Sequence, residues 1–194
     1  MTRKAPKLRR WQATQMRICS ATLVAGAFAL LLGHSLFAEV VESASAGFAT
    51  KSVVRIAAAP DRVYGTFVQD VGRWWDPAHT YSGDARNLSI DPRPGGCFCE
   101  RLGDQGGVLH LSVVFVAPRQ RLRLTGGLGP LQDSGVAGSL TWDFAGKDSE
   151  TEVTVTYVVG GFRPGGLQGL AAPVDSVLNG QLQRLKNFVE RGTP

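Results

Sequence analysis

Residues 173–190, PVDSVLNGQLQRLKNFVE, decide the architecture. Val174, Leu178, Leu182, Leu185 and Val189 recur at steps of four, four, three and four. That spacing predicts one amphipathic helix with a single apolar stripe. Gly180 interrupts it at a cost of about 1 kcal/mol against alanine. A lone helix of this kind has to bury its stripe, so the rest of the chain must supply a partner surface.

The upstream residues supply a sheet. Residues 51–56 (KSVVRI) read as a first strand. Pro60 opens a short helix over 60–68, because Val63, Tyr64, Phe67 and Val68 share a helical face. A second helical turn, Gly72-Arg73-Trp74-Trp75-Asp76, stops at Pro77. Strands follow at 87–91, 97–101, 108–116, 119–125, 136–144 and 152–159, separated by Gly- and Pro-rich turns. In the last of them Val153, Val155, Tyr157 and Val159 alternate with Glu152, Thr154 and Thr156. Short turns between consecutive strands imply an antiparallel sheet, here of about six to seven strands. A twisted sheet of that size can curl around the final helix and leave a cavity between them.

Composition excludes several classes. Of 194 residues, 43% are hydrophobic and 19% charged, which fits neither a disordered polyelectrolyte nor a multi-span membrane protein. Three cysteines are too few for a disulfide-stapled mini-protein. The net charge of +5 is uneven, with six Lys/Arg against two acids in residues 1–46 and fifteen against fourteen afterwards. The basicity therefore belongs to the leader, and no nucleic-acid partner is expected.

The leader has the order of an export signal: six basic residues from Arg3 to Arg17, an apolar run over 18–37, then small residues. Ala44-Ser45-Ala46 offers a cleavage site, and Ala38 a second one. A run of about 20 apolar residues is also long enough to anchor the chain uncleaved, as an N-terminal apolar helix. The expected division is 1–46 as export signal or membrane anchor with a linker over 39–50, and 47–194 as one domain. The expected location is exported, periplasmic or cell envelope, or the inner membrane through residues 18–37 if the leader stays.

The arrangement resembles the START-like superfamily, also called SRPBCC, with its helix-grip fold. The residues that carry the likeness are Ala59-Pro60-Asp61-Arg62-Val63-Tyr64, Gly72-Arg73-Trp74-Trp75, Asp91-Pro92-Arg93-Pro94-Gly95-Gly96, Pro118-Arg119-Gln120-Arg121-Leu122 and the helix at 175–190. The paired Trp and the DPRPGG turn look most like domains similar to the activator of Hsp90 ATPase, alongside polyketide cyclase-like proteins. The resemblance implies an α+β helix-grip fold and an apolar small molecule in the cavity. It also admits a cyclase/aromatase-like enzyme or an Hsp90-activator-like interaction module.

Six residues are candidates to line such a cavity: Trp74, Trp75, His79, His110, Trp142 and Tyr157. The two histidines titrate near neutrality and suit acid/base work. His110 lies on a strand with no carboxylate close in sequence, so neither histidine starts a metal motif. No catalytic set, metal site or cofactor is expected. Cys97 and Cys99 flank Phe98 on one face of a strand and read as two small buried thiols, because a bond between them closes a very small ring. Arg73 is a candidate for an acidic ligand group. Arg119, Arg121 and Arg123 form a basic strand face that is expected to be solvated and to protect a sheet edge.

Overall fold

A computed structural model describes residues 37–147 and 149–194. The elements are β1 (Phe37–Ala44), β2 (Gly47–Ile56), α1 (Pro60–Gln69), α2 (Val71–Trp74), β3 (Leu88–Ile90), β4 (Cys97–Leu102), β5 (Gly106–Ala117), β6 (Arg121–Thr125), β7 (Gly135–Lys147), β8 (Glu150–Phe162) and α3 (Ala171–Arg191). The strands form one antiparallel sheet of eight in the order β1-β2-β8-β7-β6-β5-β4-β3. The expected count of six to seven is corrected to eight.

The extra strand comes from the segment read as a linker. Residues 39–50 are not a linker; they form most of β1 and the start of β2, paired from Phe37↔Val53 to Ala44↔Gly47. The inner face of β2 is Phe48, Thr50, Ser52, Val54 and Ile56, all buried. Thr50 and Ser52 hide the alternation because they are polar. α3 packs against this strand, and the Ser52 hydroxyl offsets part of the rise that burial imposes on the Asp175 carboxyl. Asp175 Oδ1, Asn179 Oδ1 and Gln183 Nε2 are buried with no partner among the described residues. The N-terminal apolar helix expected over 18–37 lies outside the described residues, apart from Phe37, which opens β1. Among the described residues no helix is long and apolar enough to cross a membrane.

The predicted stripe of α3 is the buried one. Leu178, Leu182, Leu185 and Val189 are buried, with Gln181 added. The helix ends at Gly192 in the left-handed conformation (φ 78°), whose N–H bonds to the Phe188 carbonyl. Burying a leucine stabilises by roughly 1.5–3 kcal/mol, so this stripe is a large part of the core. β6 lies between β5 and β7 and is not an edge. Its arginines serve cross-strand pairs instead: Arg121 binds Asp143, and Arg123 donates to Thr141 and lies over the Phe115 ring.

A Cβ at Gly180 meets nothing within 4 Å. Gly180→Ala should therefore raise the unfolding free energy by about 1 kcal/mol, read from denaturant midpoints. A chain starting at Gly47 loses β1 and should melt below one starting at Phe37, a difference calorimetry would register. Equal melting temperatures would mean that β1 adds nothing to the fold.

Candidate functional site

Three of the six expected residues come together. Trp74, Trp75 and Trp142 are buried and wall a small space with Phe67, Phe98, Ile90, Leu124 and Leu140. The rings contact in sequence: Phe67–Trp142 at 4.7 Å, Trp74–Trp75 at 5.6 Å and Trp75–Phe98 at 5.1 Å between centroids. Trp74 Nε1 donates to the Thr66 carbonyl and Trp75 Nε1 to the His79 carbonyl, so both indoles are polar-satisfied. The space left is about 10 Å³, at the lower limit for one water. In this conformation the chamber is filled by its own aromatic walls.

His110 sits behind Phe98. The bulge between Phe98 and Cys99 makes Phe98 face Leu111 and Cys99 face Leu109, so His110 is the extra residue of β5 and turns inward. Its ring stacks on Phe98 at 4.9 Å and lies 5.8 Å from Tyr81. Its Nε2 is 2.9 Å from Oε2 of the fully buried Glu100. Glu100 also accepts the backbone N–H groups of Tyr81 (3.0 Å) and Ser82 (2.5 Å). Burial raises the Glu100 pKa, but the hydrogen bonds from Ser82, Tyr81 and His110 outweigh it and hold the carboxyl below its ordinary range. Burial lowers the His110 pKa, and Glu100 opposes it only in part. The pair is thus a carboxylate and a neutral imidazole that donates from Nε2. Nδ1 is then an unprotonated nitrogen, buried, with no partner among the described residues. Chemically it can accept a hydrogen bond or take a proton.

Glu100 was not legible as a partner, because it lies ten residues from His110 and only the β4–β5 hairpin and its bulge bring them together. Counting outward from the Gly106-Gly107 turn is the signal that approaches it: Glu100 pairs with Val108, two residues short.

The other expected residues stand elsewhere. His79 is exposed, and only its carbonyl takes part. Tyr157 is buried but serves the loop between β6 and β7: its hydroxyl donates to the Gly126 carbonyl (2.9 Å) and accepts from Leu128 N–H (3.0 Å). Burial pushes its pKa up to about 12, so it stays neutral. Arg73 pairs with Asp70 at the surface and covers Phe188. Cys97 and Cys99 are not free thiols but form a disulfide. Alternation points both side chains the same way, and their Cα atoms are 5.4 Å apart, within bonding range. Among the described residues no cluster of three or more His, Cys, Asp or Glu is placed to hold a metal.

Two loops are tied to this frame and to each other. Residues 76–84 are tied to Glu100 through Tyr81 and Ser82, and to α3 through Asp76 N–H donating to Gln181 Oε1 (2.9 Å). Residues 126–134 are tied down by Tyr157. The loops meet where the exposed Tyr81 hydroxyl donates to the Gly129 carbonyl at 3.2 Å.

No family model matches the chain, and no curated protein does either. Solved structures do. DynU16, a protein of the dynemicin biosynthetic locus, is 23% identical with a TM-score of 0.53; the match covers 74% of this chain and 48% of that one, so this chain spans about half its length. A Rhizobium leguminosarum protein is 22% identical with a TM-score of 0.52, over 81% of this chain and 99% of that one. Aha1 from Colwellia psychrerythraea, solved as a dimer, is 18% identical with a TM-score of 0.53, over 74% and 97%. These likenesses show the fold alone: an antiparallel sheet wrapped on a long C-terminal helix, the helix-grip architecture.

The Glu100–His110 pair sets a pH dependence. A carboxyl lowered by folding stabilises above its ordinary pKa and loses that as pH falls through the folded value. A histidine lowered by folding loses stability as pH drops below its ordinary 6.5, because the unfolded chain takes the proton first. Both act in one direction. Unfolding free energy should fall from pH 7 towards pH 5, and His110→Phe should flatten the portion just below 6.5. Glu100→Gln should cost roughly 2 kcal/mol at pH 7, since a neutral amide replaces a charged acceptor of three bonds. An unchanged pH profile in both variants would show that the pair does not titrate as described.

Proposed function

We propose that the domain is a binding module for a small apolar molecule, which occupies the aromatic chamber once the loops at 76–84 and 126–134 part. The observation that carries this is the aromatic wall itself: Phe67, Trp74, Trp75, Phe98 and Trp142 converge on one internal space between the two short helices and the inner face of the sheet. A ligand replaces ring–ring contacts with ring–ligand contacts, so the exchange costs little hydrophobic burial. The latch to be broken is one exposed bond, Tyr81 to Gly129. DynU16 belongs to a biosynthetic locus for a small molecule, which agrees with such a ligand. Acid/base catalysis by His110, which stacks on the chamber wall at Phe98, is the second reading, favoured by its unpartnered Nδ1. The interaction-module reading rests on likeness to Aha1 alone.

The leader belongs to the same proposal. Export or anchoring through residues 18–37 places the domain in the cell envelope. The Cys97–Cys99 disulfide agrees with an oxidising compartment. The Ala44-Ser45-Ala46 site falls in the β1–β2 turn, and cleavage after Ala46 would strip β1 from the sheet. The fold therefore favours retention, or cleavage after Ala38, and mass spectrometry of the chain recovered from membrane and soluble fractions decides between them.

Binding is tested with N-phenylnaphthylamine, an uncharged apolar fluorophore. Saturable binding with one site per chain and quenching of tryptophan emission is expected. Tyr81→Phe removes the latch and should speed association severalfold with little change in fold. Absence of saturable binding in both wild type and Tyr81→Phe would sink the reading and leave the chamber as plain core.

A further inference from the structure

We propose that Cys97–Cys99 is a thiol–disulfide exchange site that oxidises a dithiol carried on a peptide. Three observations lead there. First, the bond joins residues only two apart within one strand. A ring this short removes little entropy from the unfolded chain, and β4 already fixes both residues, so the bond does almost nothing as a staple. Second, it lies on the outer face of the sheet rather than in the core. Both cysteines are only half-buried, and the cross-strand neighbours on that face are Ser112 beside Cys97, and Ser89 and the exposed Leu109 beside Cys99. Third, Cys99 opens on a groove of about 350 Å³ that is also lined by Arg86, Asn87 and Arg101.

The groove exists because β3 starts only at Leu88. Its first pair is Leu88↔Glu100, while β4 continues through Arg101 to Leu102. A strand edge beside a groove accepts an extended peptide by backbone pairing. Leu109 adds an apolar contact. Arg101 stands two residues from Cys99 on the same face and lines the same groove, and a cation there stabilises the Cys99 thiolate.

The chemistry balances with a dithiol as the only co-reactant. A substrate thiolate attacks Cys99 Sγ, the sulfur that lines the groove; the Cys97–Cys99 bond breaks and Cys97 leaves as thiolate. The second substrate thiolate then attacks the substrate sulfur of the mixed disulfide, and Cys99 leaves as thiolate. The substrate has lost two electrons and two protons, and the cysteine pair has gained them. Arg101 favours the second departure, because a thiol of lower pKa leaves faster.

The test uses the full chain in mild detergent, catalytic in amount, with glutathione disulfide as terminal oxidant. The probes are an acetylated Cys-Gly-Gly-Cys peptide and, in a separate arm, dithiothreitol. Peptide thiol loss should run about tenfold or more above the rate without protein. Cys19→Ser should keep the activity, and the Cys97→Ser, Cys99→Ser double variant should lose it with an unchanged circular-dichroism spectrum. Arg101→Gln should slow it severalfold. Cys97→Ser, first charged at Cys99 with glutathione from glutathione disulfide, should exchange the glutathione for a single-cysteine peptide, acetyl-Ser-Gly-Gly-Cys, and hold it as a mixed disulfide on Cys99, visible by mass. Acceleration no greater than that of the double variant overturns the proposal, as does finding both cysteines reduced in the air-equilibrated chain. Acceleration of dithiothreitol oxidation alone overturns the peptide as substrate.

Discussion

The Glu100 carboxylate is the point on which the functional end of this domain depends. One buried anion binds a strand side chain, His110, and two backbone donors of a loop, Tyr81 and Ser82. Buried charge is costly unless it is fully hydrogen-bonded, so these partners have to be in place together. The consequence is cooperative. The loop over 76–84 is seated because β4 presents a carboxylate; the imidazole is held neutral by burial, against the pull of that carboxylate, and Nδ1 is left bare because the Nε2–H is the one the carboxylate takes. A side chain with no catalytic neighbour in sequence acquires acid/base character through its seat in the fold.

The chamber beside that pair shows how a concave sheet behaves when nothing else fills it. Interiors pack to crystal-like density, so a hollow between sheet and helix is closed by whatever side chains reach it. Here those are mobile-rotamer-poor rings: Trp74, Trp75 and Trp142, each held by packing and, for the first two, by a bond from indole nitrogen to a carbonyl. α3 reinforces this from behind. Arg184 Nε donates to the Trp74 carbonyl at 2.8 Å, and Gln181 accepts from Asp76. The helix thus holds the backbone on either side of the tryptophan pair in place.

Much of the frame was readable because its residues obey one period at a time. The stripe from Val174 to Val189, the alternation of β8 and the Pro60 start of α1 all carried through to the structure. Two failures share a cause, polar residues on an inner face. Thr50 and Ser52 broke the pattern of β2 and let β1 pass for linker, since the polar side of α3 that receives them could not be known beforehand. Glu100, the other polar inner-face residue, drew no reading, because only the β4–β5 hairpin and its bulge bring His110 within reach of it. Of the six candidate residues, the three tryptophans meet in one space because large apolar rings have nowhere else to go. His79 and Tyr157 depend on loop paths, which local sequence pattern does not encode.

The N-terminus sets two demands on the same residues. As a leader, 18–46 needs an apolar run followed by small residues open to a peptidase. As part of the fold, Phe37–Ala44 needs to stay attached, because it covers the edge of β2, and an uncovered edge is a template for pairing with another chain. The two demands conflict only if cleavage falls after Ala46. Retention satisfies both, and cleavage after Ala38 nearly so, since Glu39–Ala44 still pairs from Lys51 back to Gly47. Val40 is partly buried against the core, whereas the exposed Val41 sits at the register shift between Val40 and Glu42. Among its described side chains, β1 thus contributes Val40 to the core, and it joins the sheet through its backbone. The physical argument for keeping it is edge protection rather than hydrophobic burial, which explains how a strand so polar can still be part of the domain.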